Sequence, residues 1–305
     1  MADGELCVVT GVSGYSGRHI ARRLIAKGKR VINLTGHPER PHEFGDQVTS
    51  VPFNFDKPDE LRRCLAGADV FYNTYWIRFE RCGMTFDRAV QNSKTLIEAA
   101  RDAGVRRIVH TSVTNPSPDS PLPYYKGKAL VEEAIEESEL SYAILRPNVL
   151  FGDQGILINN IAWFLRHLPV FGVPGSGEYK MQPIFVEDLA DLAVAQGDLN
   201  ENTILDAVGP EIYTFNDLLK TMKEILHSRT IVLRLPPGMA LLATGAIGKL
   251  VHDIVLTPDE VAGLSDNLLV SDQPPTGTKP LSEWMRENVG WLGTRYFSEL
   301  GKHFR

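Results

Sequence analysis

Residues 10–17 read Thr10-Gly11-Val12-Ser13-Gly14-Tyr15-Ser16-Gly17, and this stretch decides the fold. It follows the apolar run Leu6–Thr10 and precedes a helical pattern over Gly17–Lys27, so it joins a buried strand to a helix. The first glycine permits a tight turn, the second lets backbone approach a ligand, and the third permits close packing of the helix on the strand. The helix N-terminus offers N–H groups to a phosphate. The stretch therefore predicts a dinucleotide site formed by Gly11, Ser13, Gly14, Tyr15, Ser16 and Gly17.

The rest of the first half alternates short β-rich runs with helical patterns. The predicted strands are Leu6–Thr10, Arg30–Leu34, Val48–Pro52, Asp69–Asn73, Arg107–Thr111 and Ser141–Leu145. The predicted helices are Gly17–Lys27, Pro58–Ala66, Phe86–Ala103 and Tyr124–Glu137. Such alternation implies right-handed crossovers and helices on both faces of one sheet. The sequence thus predicts the α/β class, with a doubly wound parallel sheet of the Rossmann type.

The pattern changes after Arg146-Pro147, where glycines and prolines surround one predicted helix, Ile156–Leu168. A helix over Val186–Gln196 and a strand over Thr203–Val208 predict a return to the sheet. We therefore expect a dinucleotide-binding domain at 1–150, with 183–208 returning to it. The remainder, 151–182 and 209–305, is expected to form a smaller, mostly helical substrate lobe.

Composition excludes several classes of protein. The 305 residues are 43% hydrophobic and 23% charged, which is typical of a globular chain. A net charge of −6 without a basic stripe argues against a nucleic-acid partner. Three widely spaced cysteines without a CxxC motif argue against a metal site, and they favour a reducing, cytoplasmic location. The apolar stretch 239–251 contains Gly245, Gly248 and Lys249 and is too short for a membrane span, so it predicts a buried or partner-facing helix.

The TGxxGxxG motif at 10–17 resembles the extended and atypical short-chain dehydrogenase/reductase superfamily, the NAD-dependent epimerase/dehydratase group. This resemblance implies an adenine contact at Asp56, a contact beside adenine and ribose at Asn73, and a cofactor contact at Pro147 within the turn Arg146-Pro147-Asn148. The stretches 256–261 and 282–284 look similar to a branch related to the Rossmann-fold accessory subunit of respiratory complex I. That branch includes proteins that bind nucleotide without known turnover.

Tyr124 and Lys128 stand at positions i and i+4 of a predicted helix and so share one face. The resemblance implies that this YxxxK pair is catalytic, and that Lys128 also binds the nicotinamide ribose. An ammonium group stabilises a phenolate and lowers the tyrosine pKa, which makes tyrosine usable as an acid or base. Ser112 is the expected third catalytic residue beside Tyr124 and Lys128, with Thr114 as the alternative.

The aromatic stretch Asn73–Phe79, which contains Trp76, predicts either an apolar wall over a substrate or ordinary packing. These features predict an NAD(P)-dependent oxidoreductase or epimerase acting at a carbonyl or alcohol centre of a small molecule. The alternative is a non-catalytic NAD(P)-binding structural or regulatory module. A homodimer is left open.

The end of the second strand predicts which nucleotide binds. Sites that prefer NAD place an acid there to hold the ribose 2′-hydroxyl. This chain instead has Thr35, His37 and Arg40, with Arg18 on the first helix, and these groups could hold a 2′-phosphate. The sequence therefore favours NADP(H), with NAD(H) as the alternative in which His37 and Arg40 are solvated.

Overall fold

The computed structural model describes residues 4–303, which form two compact units. The first unit extends to Pro147 and includes Val186–Ala207. The second unit contains Asn148–Phe185 and the chain from Val208 onward. Both units are therefore built from two separated segments of the chain.

The strands are β1 Leu6–Thr10, β2 Arg30–Thr35, β3 Val48–Pro52, β4 Val70–Asn73, β5 Arg107–Thr111, β6 Ser141–Pro147, β7 Leu150–Phe151, β8 Val170–Pro174, β9 Lys180–Met181, β10 Ile184–Phe185, β11 Thr203–Ala207, β12 Tyr213–Thr214 and β13 Ile231–Leu235. The helices are α1 Tyr15–Ala26, α2 Pro58–Leu65, α3 Phe86–Asp102, α4 Pro123–Glu136, α5 Ile156–His167, α6 Val186–Gly197, α7 Phe215–Leu226, α8 Pro237–Val251, α9 Pro258–Ser265, α10 Leu281–Glu287 and α11 Glu299–His303.

The first unit is a parallel sheet covered by helices on both faces. Its seven strands lie in the order β11-β6-β5-β4-β1-β2-β3, and every neighbouring pair is parallel. Helices α1 and α6 pack together, and α2, α3 and α4 form a second layer. This architecture confirms the predicted α/β class and doubly wound sheet. The strand order reverses between β1 and β4, and ligands of such sheets bind outside the carboxyl ends of the strands at that switch point.

Burial on both faces explains why the central strands are continuously apolar. Cys7, Val8 and Val9 of β1 are fully buried. Alternate side chains of β4, β5 and β6, namely Phe71, Ile108 and Ile144, belong to one apolar core with residues of α2, α3 and α4. That core fixes the carboxyl ends of the strands, where the candidate site lies.

The second unit combines helices with three two-stranded ribbons, β7 with β10, β9 with β12, and β8 with β13. Its core includes Phe151 and Leu165 from one chain segment and Met222, Trp284 and Met285 from the other. Within residues 4–303, the helices are all too short or too polar to cross a bilayer.

Candidate active site

The glycine turn after β1 has the geometry that its sequence predicts. Gly11 has a φ of +68°, in the left-handed region that favours glycine. Its N–H donates to Leu34 O at 3.0 Å, and Gly14 N–H donates to Gly11 O at 2.8 Å. A Cβ on Gly17 would lie 2.4 Å from Gly11 O, so a side chain there would push the helix off the turn. The third glycine therefore serves packing.

The same turn fits a pyrophosphate. A Cβ built on Gly11 meets no atom within 4 Å, so space is open beside the backbone. Helix α1 begins after Gly14, which caps it without a side-chain hydrogen bond. Glycine has no side chain with which to cap the first N–H groups of α1, and first-turn N–H groups of a helix are typical donors to phosphate.

Asn33 of β2 supports the turn from behind and was not predicted as a site residue. Its Oδ1 accepts from Val12 N at 3.0 Å, and its Nδ2 donates to Ser50 Oγ at 2.8 Å. Asn33 is 2% exposed. The available signal was one amide side chain within an otherwise apolar strand, since a buried polar group needs a partner.

Three of the residues predicted to hold a 2′-phosphate lie in one turn at the end of β2. Thr35 is buried, and its Oγ1 accepts from His37 N at 3.2 Å. Arg40 N donates to His37 O at 3.0 Å, which closes the turn. The His37 side chain is exposed and that of Arg40 is half-buried. The turn brings both basic side chains to the carboxyl end of β2.

An acid also lies near this turn, and sequence reasoning missed it. Glu43 lies in the loop between β2 and β3, with Oε1 2.6 Å from Arg22 Nη2. Its Oε2 lies 4.0 Å from Arg18 Nε. Because Glu43 is several residues beyond the strand end, only the path of the loop brings it to α1.

Asp56 lies in the turn between β3 and α2, and Asn73 is the last residue of β4. Asp56 is exposed, and its N–H donates to Asn54 Oδ1 at 3.1 Å. Asn73 is fully buried and accepts from Tyr75 N at 3.1 Å through Oδ1. Among residues 4–303 its Nδ2 has no hydrogen-bond partner. The buried amide thus keeps a donor available at the switch point.

Lys128 of α4 is almost completely buried, with 3% of its surface exposed. Its Nζ donates to Thr111 O at the end of β5, at 2.7 Å, and lies 4.8 Å from the ring centroid of Trp76. Burial lowers the pKa of Lys128 to about 7, and the charge of Glu132 opposes this effect. The sequence placed Lys128 correctly on the face of α4 that it shares with Tyr124.

Tyr124 is half-buried in an aromatic cluster one helical turn from Lys128. Its ring lies edge-on to Trp76 at 6.1 Å, Phe86 at 5.9 Å and Tyr125 at 5.5 Å between centroids. Trp76 therefore contacts both members of the predicted pair. Trp76 belongs to the aromatic stretch after β4, for which the sequence predicted either an apolar wall over a substrate or ordinary packing.

Ser112 and Thr114 follow β5 and are both buried. Ser112 N donates to Leu145 O at 2.7 Å, and Thr114 N donates to Pro147 O at 3.1 Å, which aligns this segment with the end of β6. The Ser112 hydroxyl is without a hydrogen-bond partner in the described part of the chain. A buried hydroxyl of this kind suits a ligand oxygen.

His110 is a further buried group that sequence reasoning missed. It is fully buried on β5 and lies opposite Asn73 in the β4–β5 register. Burial and the charge of Lys128 hold the pKa of His110 well below its usual range, so the imidazole is neutral. In the sequence, the one indication of this residue was a polar side chain directly after the apolar pair Ile108-Val109.

A family model for NAD(P)H-binding domains matches residues 11–161. This match covers the glycine turn, Asn73, Ser112, Tyr124 and Lys128, which the fold brings to one edge of the sheet. Residues 11–161 are therefore similar to NAD(P)H-binding domains.

Two relatives span most of the chain. A mitochondrial NADH dehydrogenase (ubiquinone) subunit, 1 alpha subcomplex subunit 9 of Arabidopsis thaliana, is 24% identical over 288 residues, 88% of this chain and 72% of that protein. Ceramide reductase of Caulobacter vibrioides is 27% identical over 290 residues, 93% of this chain and 90% of that protein. These homologues confirm the resemblance to the complex I accessory subunit and extend it to a reductase.

Solved structures share the fold. Triphenylmethane reductase of Citrobacter sp. superposes with a TM-score of 0.74 at 18% identity, over 93% of this chain and 99% of that one. A second structure of that reductase holds NADP(H) and has a TM-score of 0.73 at 18% identity, over 92% and 99% of the two chains. The expected Rossmann-type fold is thereby confirmed.

Proposed function

We propose that this chain is an NAD(P)H-dependent oxidoreductase acting at a carbonyl or alcohol centre of a small molecule. The observation that carries the proposal is the position of Lys128. Its buried Nζ donates to Thr111 O, and Tyr124 lies one turn earlier on the same helix. Ser112 follows Thr111 in the sequence, and its hydroxyl has no hydrogen-bond partner among residues 4–303. On this proposal Tyr124 is the acid, Lys128 the cation and Ser112 the hydrogen-bond donor, and all three belong to the stretch that matches NAD(P)H-binding domains.

Each of these residues has a separate role in the proposed reduction of a carbonyl group. When bound, the reduced nicotinamide supplies the hydride that adds to the carbonyl carbon. Ser112 donates a hydrogen bond to the substrate oxygen, and Tyr124 donates the proton that completes the alcohol. Protonated Lys128 stabilises the phenolate left on Tyr124 and, by hydrogen bonding, orients the nicotinamide ribose. Oxidation of an alcohol uses the same groups in reverse, as does the transient oxidation within an epimerisation.

The side chains around Tyr124 favour a substrate with apolar flanks. Trp76, Phe86 and Tyr125 all contact its ring, so the surroundings of that ring are aromatic. Aromatic rings contribute dispersion and area burial and offer few hydrogen-bonding groups. The name of the relative ceramide reductase agrees with a lipid-like ketone or aldehyde as substrate.

The cofactor is proposed to be NADP(H), with NAD(H) as the weaker ligand. The end of β2 presents His37 and Arg40 without an acid at the strand end itself. Arg18 and Arg22 add positive charge, which Glu43 partly neutralises. A 2′-phosphate would gain charge-assisted hydrogen bonds in this environment.

A second candidate is nucleotide binding without turnover. Its support is the relative named as a subunit of mitochondrial NADH dehydrogenase, which matches this chain about as well as the reductase does. The aromatic packing of Tyr124 also gives that residue a structural use. On this view the glycine turn holds a nucleotide that stabilises the first unit.

One experiment separates these functions. The full-length protein is mixed with NADPH or NADH and with a panel of aromatic, medium-chain and long-chain ketones and aldehydes. Carbonyl-dependent consumption of reduced cofactor with an equal amount of alcohol formed supports the oxidoreductase. Nucleotide binding by calorimetry, with no consumption on any substrate class and no isomerised product, would overturn it in favour of the binding module.

A further inference from the structure

Helix α8 of the second unit exposes an apolar stripe. Its partly or fully buried positions include Ala240, Thr244 and Gly248, at helical spacing. The opposite positions, Met239 and Leu242, are 56% and 77% exposed. A surface helix of a globular protein normally carries polar side chains at such positions.

The ribbon against which α8 packs also exposes apolar side chains. Helix α8 contacts both β8 and β13. On this ribbon Ile231 is 60% exposed, Leu233 is 46% exposed and Val170, the register partner of Ile231, is 42% exposed. We define Met239, Leu242, Ile231, Leu233 and Val170 as the apolar face. The sequence predicted a buried or partner-facing helix here, and the exposure of Leu242 contradicts the buried alternative.

The segments that form the apolar face contain no carboxylate. Residues 154–177 and 225–252 lack Asp and Glu, although the whole chain has 38 of these residues. The second segment carries Arg229, Arg234 and Lys249, all exposed. Arg234 pairs with Glu178 at 3.3 Å, outside both segments. An acidic chain thus presents the side chains of the apolar face on a locally basic background.

From this combination we propose that the apolar face docks on an anionic lipid bilayer. Exposed apolar side chains enter the region between headgroups and acyl chains, and neighbouring cations attract anionic headgroups. Lys249 stands at the end of the helix, where its ammonium can reach headgroup phosphates.

Helix α8 would lie on the bilayer and not cross it. Its 15 residues span about 22 Å, less than the roughly 30 Å of a hydrocarbon core. A second copy of the chain is a poorer occupant of this face. Two such surfaces would bring Arg229 and Lys249 near their equivalents, and like charges repel. This docking does not depend on the proposed chemistry of the first unit.

Vesicle flotation of the full-length protein tests the proposal. Vesicles of phosphatidylcholine alone are compared with vesicles that also contain phosphatidylserine. The variants are Leu242→Glu, Met239→Glu and Lys249→Glu, with Ile212→Glu as the matched control because Ile212 is 53% exposed and lies outside the apolar face. Circular dichroism and nucleotide binding verify that each variant is folded.

Wild type and Ile212→Glu are expected to float with the anionic vesicles. Leu242→Glu and Met239→Glu should each weaken binding about ten-fold or more, because each loses apolar burial and adds repulsion. Lys249→Glu should weaken binding to anionic vesicles by at least about five-fold and affect phosphatidylcholine vesicles less. Failure of wild type to bind anionic vesicles would overturn the proposal. So would a dimer, seen by light scattering, that Leu242→Glu dissociates while vesicle binding is unaffected.

Discussion

The Nζ atom of Lys128 lies 4.8 Å from the ring centroid of Trp76, in contact with the same indole that meets Tyr124 edge-on. Trp76 comes from the loop after β4, whereas Lys128 and Tyr124 come from α4. The indole thus contacts both polar side chains. Burial is the main reason for the low pKa of Lys128.

The first prediction concerns Tyr124. Tyr124→Phe keeps the contacts with Trp76 and Phe86 but removes the group that donates the proton. Turnover should fall by roughly 10²–10⁴, the usual scale for a lost general acid, while nucleotide affinity is unchanged. Steady-state kinetics and calorimetry measure the two effects. Tyr125→Phe is the matched control, and a Tyr124→Phe variant that retained the full rate would assign the proton to another residue.

The second prediction concerns the pH dependence of stability. The pKa of Lys128 is about 7 in the folded chain and near its ordinary value of 10.5 in the unfolded chain. Between these values the unfolded chain binds the extra proton, so the lysine makes the free energy of unfolding rise with pH. Lys128→Met removes this contribution to the pH dependence of stability, and the methionine side chain fills the same space.

The Lys128→Met variant should therefore gain most stability over wild type below about pH 7, and this gain should shrink toward about pH 10. Urea unfolding of both nucleotide-free proteins across this range measures it. Lys126→Met is the control, because Lys126 is exposed on the same helix. A difference between Lys128→Met and wild type that does not vary with pH would show that Lys128 keeps its ordinary pKa.

The third prediction separates the roles of two glycines. At Gly14 a Cβ would lie 3.0 Å from Gly11 O, at the limit of tolerance, whereas at Gly17 it would lie at 2.4 Å. Gly14→Val should abolish nucleotide binding and leave the protein folded, because the side chain fills the pyrophosphate space. Gly17→Ala should lower the melting temperature, since α1 must shift. Gly290→Ala, where a Cβ meets no atom within 4 Å, is the control. Equal nucleotide affinity of wild type and Gly14→Val would refute this site.

The fourth prediction concerns cofactor preference. Wild type should bind NADPH more tightly than NADH by on the order of ten-fold, the value of one set of charge-assisted contacts. Arg40→Ala should reduce this difference in affinity between NADPH and NADH. Glu43→Gln should widen it several-fold, because the carboxylate no longer neutralises Arg18 and Arg22. Calorimetry with both nucleotides measures the gap, and a wild type that prefers NADH would contradict the proposal.

The local sequence was sufficient to predict the parallel sheet and its glycine turn. Strand and helix periodicities are local properties, and the conformation of Gly11 is imposed by the turn that residues 10–17 must form. The same holds for Tyr124 and Lys128, because a spacing of four residues places them on one face of any helix.

Other features depend on residues far apart in the chain, and only the tertiary structure decided them. Asn33 reaches the turn at Val12, Glu43 reaches α1, and Trp76 covers Lys128 because the strands bring separate loops to one edge of the sheet. The exposure of Leu242 has the same origin. The sequence of α8 predicted an apolar helix, but the packing of α8 on the ribbon of β8 and β13 decides which of its faces is covered. Periodicity is set by covalent spacing, whereas burial and proximity are set by packing between distant segments.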